Sequence, residues 1–201
     1  MPKLLQNAIN PADGPGVNRD RGLRMGALDE VIDRPLDKRE LSRRWQALCA
    51  DPSFEDLAAK IELTEWGEIL MSPVGKSRGL AAARIAEVVR QALGGRVMVE
   101  VGVATAIGVR APDVAWCSDT FLSAHPEESP LSSAPELSIQ IVSASNALPK
   151  LRDKAAAYVE AGAIEAWIVF PQSRRIEIYD SSGPRDGTAF PIDVTALLDT
   201  L

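Results

Sequence analysis

The chain has 201 residues, of which 46% are hydrophobic and 25% charged, a composition typical of one soluble domain with its own core. Its formal net charge of -6 argues against a protein that coats nucleic acid non-specifically, because phosphate contacts need a basic surface, although a local basic patch is compatible with it. No run of about 18 apolar residues and no secretory signal pattern occurs, so we expect a cytoplasmic protein without a membrane partner.

The start of the chain differs in composition from the rest. Residues 1–36 contain Pro, Gly, Asn, Asp and Arg without an apolar period, which predicts a flexible arm, and residues 37–201 are then expected to form one domain. The domain begins with apolar residues at helical spacing, which predict a helix: Leu41, Trp45 and Leu48.

A hairpin and a second helix are expected next. The stretch AKIELTEWGEILMSP predicts two short strands around a turn at Trp66-Gly67, and an amphipathic pattern predicts a helix from about Leu80 to Leu93. Between them, Gly75 to Ser77 (GKS) has the ending of a phosphate-binding loop, but that loop needs a glycine where Leu70 stands. We therefore interpret the lysine of GKS as a solvated loop residue.

The second half of the chain alternates strands with one long helix. The predicted elements are strands at Arg96–Val103 and Asp113–Cys117, a loop around His125, a strand at Leu137–Asn146, a helix from about Leu148 to Ala161, and a hairpin that turns at Pro171 to Ser173. Asn146 is expected to cap the helix. This order predicts an α/β (α+β) domain with a central mixed sheet flanked by helices.

The cysteines and the histidine exclude several kinds of site. Cys49 and Cys117 are far apart in largely apolar surroundings, which predicts buried, reduced thiols. His125 is the only histidine and lies in a loop rich in Pro, Ser and Glu, which argues against a histidine-dependent nucleophile or a histidine-rich zinc site.

Three polar residues in the second half could meet at one end of the sheet. Gln140 interrupts an apolar strand, where an amide without partners would cost about 1–3 kcal/mol, so either neighbours satisfy it or it faces a site. Asp113 begins another strand, and Lys154 lies beside the apolar stripe of the following helix. An aspartate, a second oxygen ligand and a lysine are the parts that hydrolyse a phosphodiester with Mg²⁺.

Each of these residues also has a purely structural interpretation. Asp113 follows a proline and could be a strand-edge residue, and Lys154 could be a solvated flank of its helix. Glu62 and Glu68 of the first hairpin offer further carboxylates, but they are most simply its polar face. Whether Glu62 and Glu68 both face the site depends on the turn register of the hairpin, which stays open.

The order of several short stretches resembles a known family. "LCADPSF", "IELTEWGEILMSPVG", "APDVAWCSD", "IQIVSASNALPKLRDKAAAYVEAGAIEAWIVFP" and "RIEIYD", from about Trp45 to Asp180, are similar to the putative restriction-endonuclease family of bacterial proteins, within the PD-(D/E)xK nuclease superfamily. The resemblance implies a restriction-endonuclease-like fold and a DNA phosphodiesterase site that uses Mg²⁺ or Mn²⁺.

The resemblance also implies roles for individual residues. Asp113 would be the metal-binding aspartate, Gln140 would stand where the family usually has the second acidic ligand, and Lys154 would be the site lysine. Glu68, and less surely Glu62, match the upstream acidic positions. The implied catalytic set is therefore Asp113, Gln140, Lys154 and Glu68, with Asp113, Gln140 and Glu68 as metal ligands.

Two departures from the family pattern leave two hypotheses. Gln140 can offer an amide oxygen to Mg²⁺ but brings no negative charge, and Phe170 stands where an acidic residue is more common. The first hypothesis is a metal-dependent DNA endonuclease, for which a homodimer would bring one site to each strand of a duplex. The second is a catalytically weakened or inactive module of the same fold that serves binding or assembly.

Overall fold

The computed structural model describes residues 33–54, 57–143 and 147–201. Residues 1–32, most of the predicted arm, and Asn146, the predicted helix cap, lie outside the described residues. The end of the predicted arm contacts the domain: the backbone N–H of Leu36 donates to the carbonyl of Glu65 at 2.7 Å, and its side chain packs on the first helix and hairpin. Within the described ranges, no helix combines the length and apolar character needed to cross a membrane.

The described part contains five α-helices and ten strands. The helices are α1 (Lys38–Cys49), α2 (Lys76–Leu93), α3 (Asp119–Ala124), α4 (Leu148–Glu160) and α5 (Val194–Asp199). The strands are β1 (Ala59–Leu63), β2 (Ile69–Pro73), β3 (Arg96–Met98), β4 (Val103–Thr105), β5 (Gly108–Arg110), β6 (Val114–Cys117), β7 (Leu137–Ile141), β8 (Glu165–Phe170), β9 (Arg175–Asp180) and β10 (Gly183–Arg185).

A six-stranded mixed sheet forms the centre of the molecule. Its strand order is β10-β9-β8-β7-β6-β3, and only β7 and β8 are parallel, because helix α4 connects them as a crossover. The other neighbours are antiparallel, and β1-β2 and β4-β5 form two separate hairpins. The predicted α+β class, with a mixed sheet flanked by helices, is confirmed.

Helices cover the two faces of the sheet, and the strand alternation decides which residues each face receives. On β7, Ile139 and Ile141 pack with α2 and α5, so Gln140 points to the opposite face, which α4 covers. Val114 pairs with Ile139, and Asp113 lies one residue before this pair, next to Gln140 across the two strands. Asp113 and Gln140 are thus neighbours at one end of the sheet as predicted, but Asp113 lies directly before β6 rather than within it.

Most predicted elements form where the sequence places them. Helix α1 buries Leu41, Trp45 and Leu48, and a capping box of Asp37 and Glu40 fixes its start. The first hairpin, the strand of Gln140, helix α4 and the β8-β9 hairpin are likewise observed.

Three predictions at the level of elements are corrected. Helix α2 begins at Lys76 rather than at Leu80. The sequence pattern missed its first turn because that turn contains Gly79 and no apolar face. The lysine and serine of GKS therefore start a helix and do not belong to a loop. The predicted strand Arg96–Val103 is broken after β3, where Glu100 has a φ of 52°. Gly102 follows the break, and a Cβ there would lie 2.8 Å from the Trp45 ring.

The loop and the thiols also differ from expectation. The loop before β7 contains helix α3, capped by Ser118, and His125 ends this helix with its ring stacked on Phe121. Cys117 is buried as predicted, but Cys49 is exposed, because it is the last residue of α1 and faces away from the core.

Candidate active site

A buried group of charged and polar side chains lies between hairpin β1-β2, the ends of β6 and β7, and helix α4. We call it the charged cluster, and it consists of Lys60, Glu62, Arg78, Arg110, Asp113, Gln140, Lys154 and Tyr158. Three of the four catalytic residues that the family resemblance implies, Asp113, Gln140 and Lys154, are among them.

Asp113 is held by a buried lysine from the first hairpin. Lys60 Nζ donates to Asp113 Oδ1 at 2.7 Å, and both side chains are only 4% exposed. The other carboxylate oxygen, Oδ2, accepts the backbone N–H of Ile141 at 2.7 Å. Arg78 Nε lies 4.0 Å from Oδ1 and adds a second positive charge. Both oxygens of Asp113 therefore already have donors.

Glu62 is the second buried carboxylate of the charged cluster. Lys154 Nζ donates to both of its oxygens, at 2.8 and 2.6 Å, and the backbone N–H of Ala111 donates to Oε1 at 2.9 Å. Arg110 Nη1 lies 3.9 Å from Oε2. The ammonium of Lys154 is thus turned into the protein, so the interpretation of Lys154 as a fully solvated flank of its helix does not hold.

The amide of Gln140 is satisfied by donating hydrogen bonds. Its Nε2 donates to the carbonyl of Ala111 at 3.1 Å and to the hydroxyl of Tyr158 at 2.9 Å, and the side chain is buried. In the described part of the chain, no group donates to its Oε1. The amide oxygen is therefore the one acceptor of Gln140 that a ligand could use.

Burial changes the proton affinity of two side chains here. Desolvation lowers the pKa of Lys154 below its usual value, although Glu62 opposes this shift. Desolvation raises the pKa of Tyr158 well above its usual value, and the carboxylates of Glu62 and Asp113 add to the effect. Lys154 thus gives up its proton more readily than a solvated lysine, whereas Tyr158 stays a neutral hydroxyl.

Glu68 does not join the charged cluster. It is exposed near the turn of the hairpin, its backbone N–H donates to Thr64 Oγ1 at 3.0 Å, and its carboxylate is 3.4 Å from the same hydroxyl. No contact among the described residues links it to Asp113, Gln140 or Lys154. Its role as a ligand stays a prediction, and Glu62 is the hairpin carboxylate that the structure brings to the cluster.

Two cavities open beside Asp113 and Arg78. One has a volume of about 280 Å³ and is lined by both residues, together with Gly75, Gly79 and Glu100. The other, of about 390 Å³, is lined by Arg78 and the start of α2, by the end of β7 and by the turn after β8. Arg78 is shared by both cavities, so a ligand in either one meets its guanidinium.

Comparison with known proteins places the chain in a family. The model of the Uma2 family, described as "Putative restriction endonuclease", matches residues 47–193. The chain belongs to the Uma2 family. The matched range contains the whole charged cluster.

One solved structure supports the fold assignment. The chain is similar to a putative nuclease belonging to DUF820 from Anabaena variabilis ATCC 29413, with a TM-score of 0.60 over 83% of this chain and 99% of that chain. At 14% sequence identity, this likeness establishes the fold alone. No curated protein matches the chain.

In this Uma2 protein, the contacts do not fit a divalent metal ion as they stand. Lys60 Nζ occupies one side of Asp113, and the N–H of Ile141 occupies the other. Gln140 adds an oxygen without a charge, and the described residues contain no group of three His, Cys, Asp or Glu side chains that could hold a metal. We therefore derive no catalytic step through Mg²⁺ or Mn²⁺.

The sequence interpretation missed Lys60, Arg78, Arg110 and Tyr158. Lys60 and Glu62 are two residues apart on β1 and so share a face, which was visible in the sequence. Such alternation occurs equally when the polar face meets water, and the signal for burial was lacking. Arg78 was hidden by the late predicted start of helix α2.

Proposed function

We propose that this Uma2 protein is an endonuclease that acts on DNA phosphodiester bonds at the charged cluster. The observation that carries the proposal is the charged cluster, in which Asp113 and Gln140 lie side by side and Asp113 lines an open cavity. Lys154 joins the same cluster through its hydrogen bonds to Glu62. The family description supports the same activity. Because the contacts of Asp113 do not fit a divalent ion, the proposal contains no step on a metal.

The local charge suits a phosphate group. Four cationic side chains of the charged cluster face two carboxylates, which leaves an excess of positive charge in a protein whose net charge is -6. In addition, Arg110 Nε is the buried side-chain nitrogen or oxygen atom that lacks a hydrogen-bond partner in the described structure. A phosphodiester entering beside Arg78 would offset part of this charge.

Lys154 is the residue best placed to handle a proton. Its Nζ has a lowered pKa and is bonded to both oxygens of Glu62, so this pair could accept a proton from an attacking water or return one to a leaving oxygen. The cations near Asp113 would stabilise the charge that develops on the attacked phosphate.

A second candidate function is binding without cleavage, and Gln140 favours it. The amide donates to the carbonyl of Ala111, a bond that an ionised carboxylate in the same place could not make. Gln140 is therefore fitted to its surroundings as an amide. Under this second candidate, the chain would use its nuclease fold to bind nucleic acid or another protein chain, without cleaving a phosphodiester bond.

Nicking of supercoiled plasmid DNA by the purified protein tests the first candidate. We expect conversion to the open-circular form, assayed in chelator and with added Mg²⁺ or Mn²⁺, and at least about a hundredfold loss in Lys154→Met and Asp113→Asn, the scale of one proton-transfer or charge-stabilising group. The matched control is Lys150→Met, because Lys150 is exposed on the same helix, one turn before Lys154.

The outcomes separate the two candidates. Cleavage at equal rates in Lys154→Met, Asp113→Asn and the control would remove the assignment of the site. If wild type binds a labelled duplex but never nicks it, the binding module is the better description. Circular dichroism of each variant shows whether a loss reflects chemistry or unfolding, since Asp113→Asn leaves Lys60 without its buried partner.

A further inference from the structure

The buried lysine of the first hairpin is hydrogen-bonded to the carboxylate of Asp113. Lys60 Nζ lies 2.7 Å from Asp113 Oδ1, a distance at which the ammonium takes the oxygen that a divalent cation would need. We propose that Lys60 is a built-in competitor for divalent metal at Asp113, so that a metal ion binds there only after the Lys60 ammonium has moved away.

Electrostatics make this competition strong. Lys60 and Asp113 are each 4% exposed, so their attraction is screened little by water. A metal ion placed beside Asp113 with Lys60 still present would lie close to Lys60 and to Arg78, and Gln140 contributes no charge to offset them. Metal binding and the Lys60 contact are therefore mutually exclusive.

The structure offers the displaced lysine a place to go. Lys60 also lines a cavity of about 490 Å³ on the side of helix α1, together with Asp51 and Glu100. Asp51 Oδ1 already accepts two hydrogen bonds from Ser53, whereas Glu100 is exposed and also lines the smaller cavity beside Asp113. Glu100 is therefore the more available destination for an ammonium that swings out of the cluster. Lys60 thus has one position on Asp113 and room for a second position toward Glu100.

The inference concerns the site of the proposed function but does not depend on DNA cleavage. Mn²⁺ alone is the probe, and its binding to the full chain is measured by electron paramagnetic resonance without DNA. The variants are Lys60→Gln, which removes the competing charge, Lys60→Arg, which keeps a charge, and Lys150→Gln, a control at an exposed lysine.

We expect Lys60→Gln to bind Mn²⁺ at least about tenfold more tightly than wild type, a gain of ~1.4 kcal/mol. Lys60→Arg and Lys150→Gln should keep the wild-type affinity, and adding Asp113→Asn to Lys60→Gln should abolish the gain. Equal affinity of wild type and Lys60→Gln, or no binding by either, overturns the inference.

A measurement on the wild-type protein covers the case in which Lys60→Gln does not fold. Lys60 is buried and should resist acylation by an amine-reactive ester, whereas Mn²⁺ at saturation should make it reactive, as read by peptide mass mapping. Saturable Mn²⁺ binding with Lys60 still protected would refute the competition. Plasmid nicking without any effect of Lys60→Gln on Mn²⁺ affinity would leave the proposed function standing and this inference rejected.

Discussion

The ion pair between Lys154 and Glu62 gives the sharpest prediction for stability. Lys154→Met keeps a side chain of similar length and removes the ammonium, which donates to both oxygens of Glu62 at 2.6 and 2.8 Å. Glu62 is buried, and of its described partners it would keep the Ala111 N–H and the Arg110 guanidinium at 3.9 Å. The variant thus leaves a buried carboxylate without its nearest cation.

The size of the effect follows from burial. Removing one partner of a fully buried ion pair costs ~3–5 kcal/mol. Because the Lys154 side chain is 18% exposed and Glu62 keeps two partners, we expect the free energy of unfolding to fall by ~2–3 kcal/mol, at or below the lower limit of that range. For a protein of this size each kcal/mol lowers Tm by ~2–4 °C, so the melting temperature should fall by roughly 5–10 °C.

A double-mutant cycle measures the interaction between Lys154 and Glu62 by urea unfolding of wild type, Lys154→Met, Glu62→Gln and the double variant. Glu62→Gln retains an acceptor for the Ala111 N–H, and its combination with Lys154→Met removes both charges. The double variant should lose less than the sum of the single losses, with a coupling of ~1–3 kcal/mol. Lys150→Met, at an exposed position one turn before Lys154, should stay within ~0.5 kcal/mol of wild type.

Two results would refute this reasoning. A loss in Lys154→Met no larger than in Lys150→Met would mean that the ammonium does not stabilise Glu62. Strictly additive losses in the double variant would mean that the two side chains act on stability through other contacts. In either case the ion pair between Lys154 and Glu62 would not be what stabilises this part of the charged cluster.

Two further predictions concern pH and backbone conformation. Burial lowers the pKa of Lys154 below its usual 10.5, so between the lowered pKa and 10.5 the unfolded chain binds more protons than the folded one. In this pH range the free energy of unfolding of wild type should therefore rise with pH relative to that of Lys154→Met. Urea titrations in which this difference falls or stays flat with pH would contradict the prediction. Gly108 has a φ of 111°, and a Cβ there would collide with the carbonyl oxygen of Leu63, so Gly108→Ala should destabilise the protein by more than ~1 kcal/mol. Gly79→Ala, in open space on α2, should instead stabilise it by up to ~1 kcal/mol, and equal shifts of Tm in the two variants would show that backbone conformation does not decide the effect.

The sequence was sufficient for the parts of the site that follow from local periodicity. Alternation along β7 assigns Gln140 to the face opposite Ile139 and Ile141, and helical spacing puts Lys154 beside the stripe that packs on this face. Both assignments need only neighbours within one element. The expectation that Asp113 meets Gln140 needed one further step, the pairing of β6 with β7, which consecutive strands commonly make.

The sequence was insufficient where the partner is distant and the polar pattern is ambiguous. Lys60 and Asp113 are 53 residues apart, and Glu62 and Lys154 are 92 residues apart. A strand with Lys60 and Glu62 on one face has the same pattern whether that face meets water or a buried cluster. Only the packing of the hairpin against β5 and α1 decides that these charges point inward, and no local rule contains that packing.

The two departures of this chain from a metal-binding arrangement act in the same electrostatic direction. An amide at Gln140, where the resemblance implies an acid, removes a negative charge, and Lys60 on Asp113 adds a positive one. Several carboxylates buried together repel one another and need a cation to fold, whereas this cluster supplies its own cations and satisfies its own carboxylates. Stability without metal and affinity for metal are then opposed properties of the same residues. Any substitution that frees Asp113 for a metal ion should therefore weaken the metal-free fold, and Mn²⁺ should restore part of that loss by binding only the folded state.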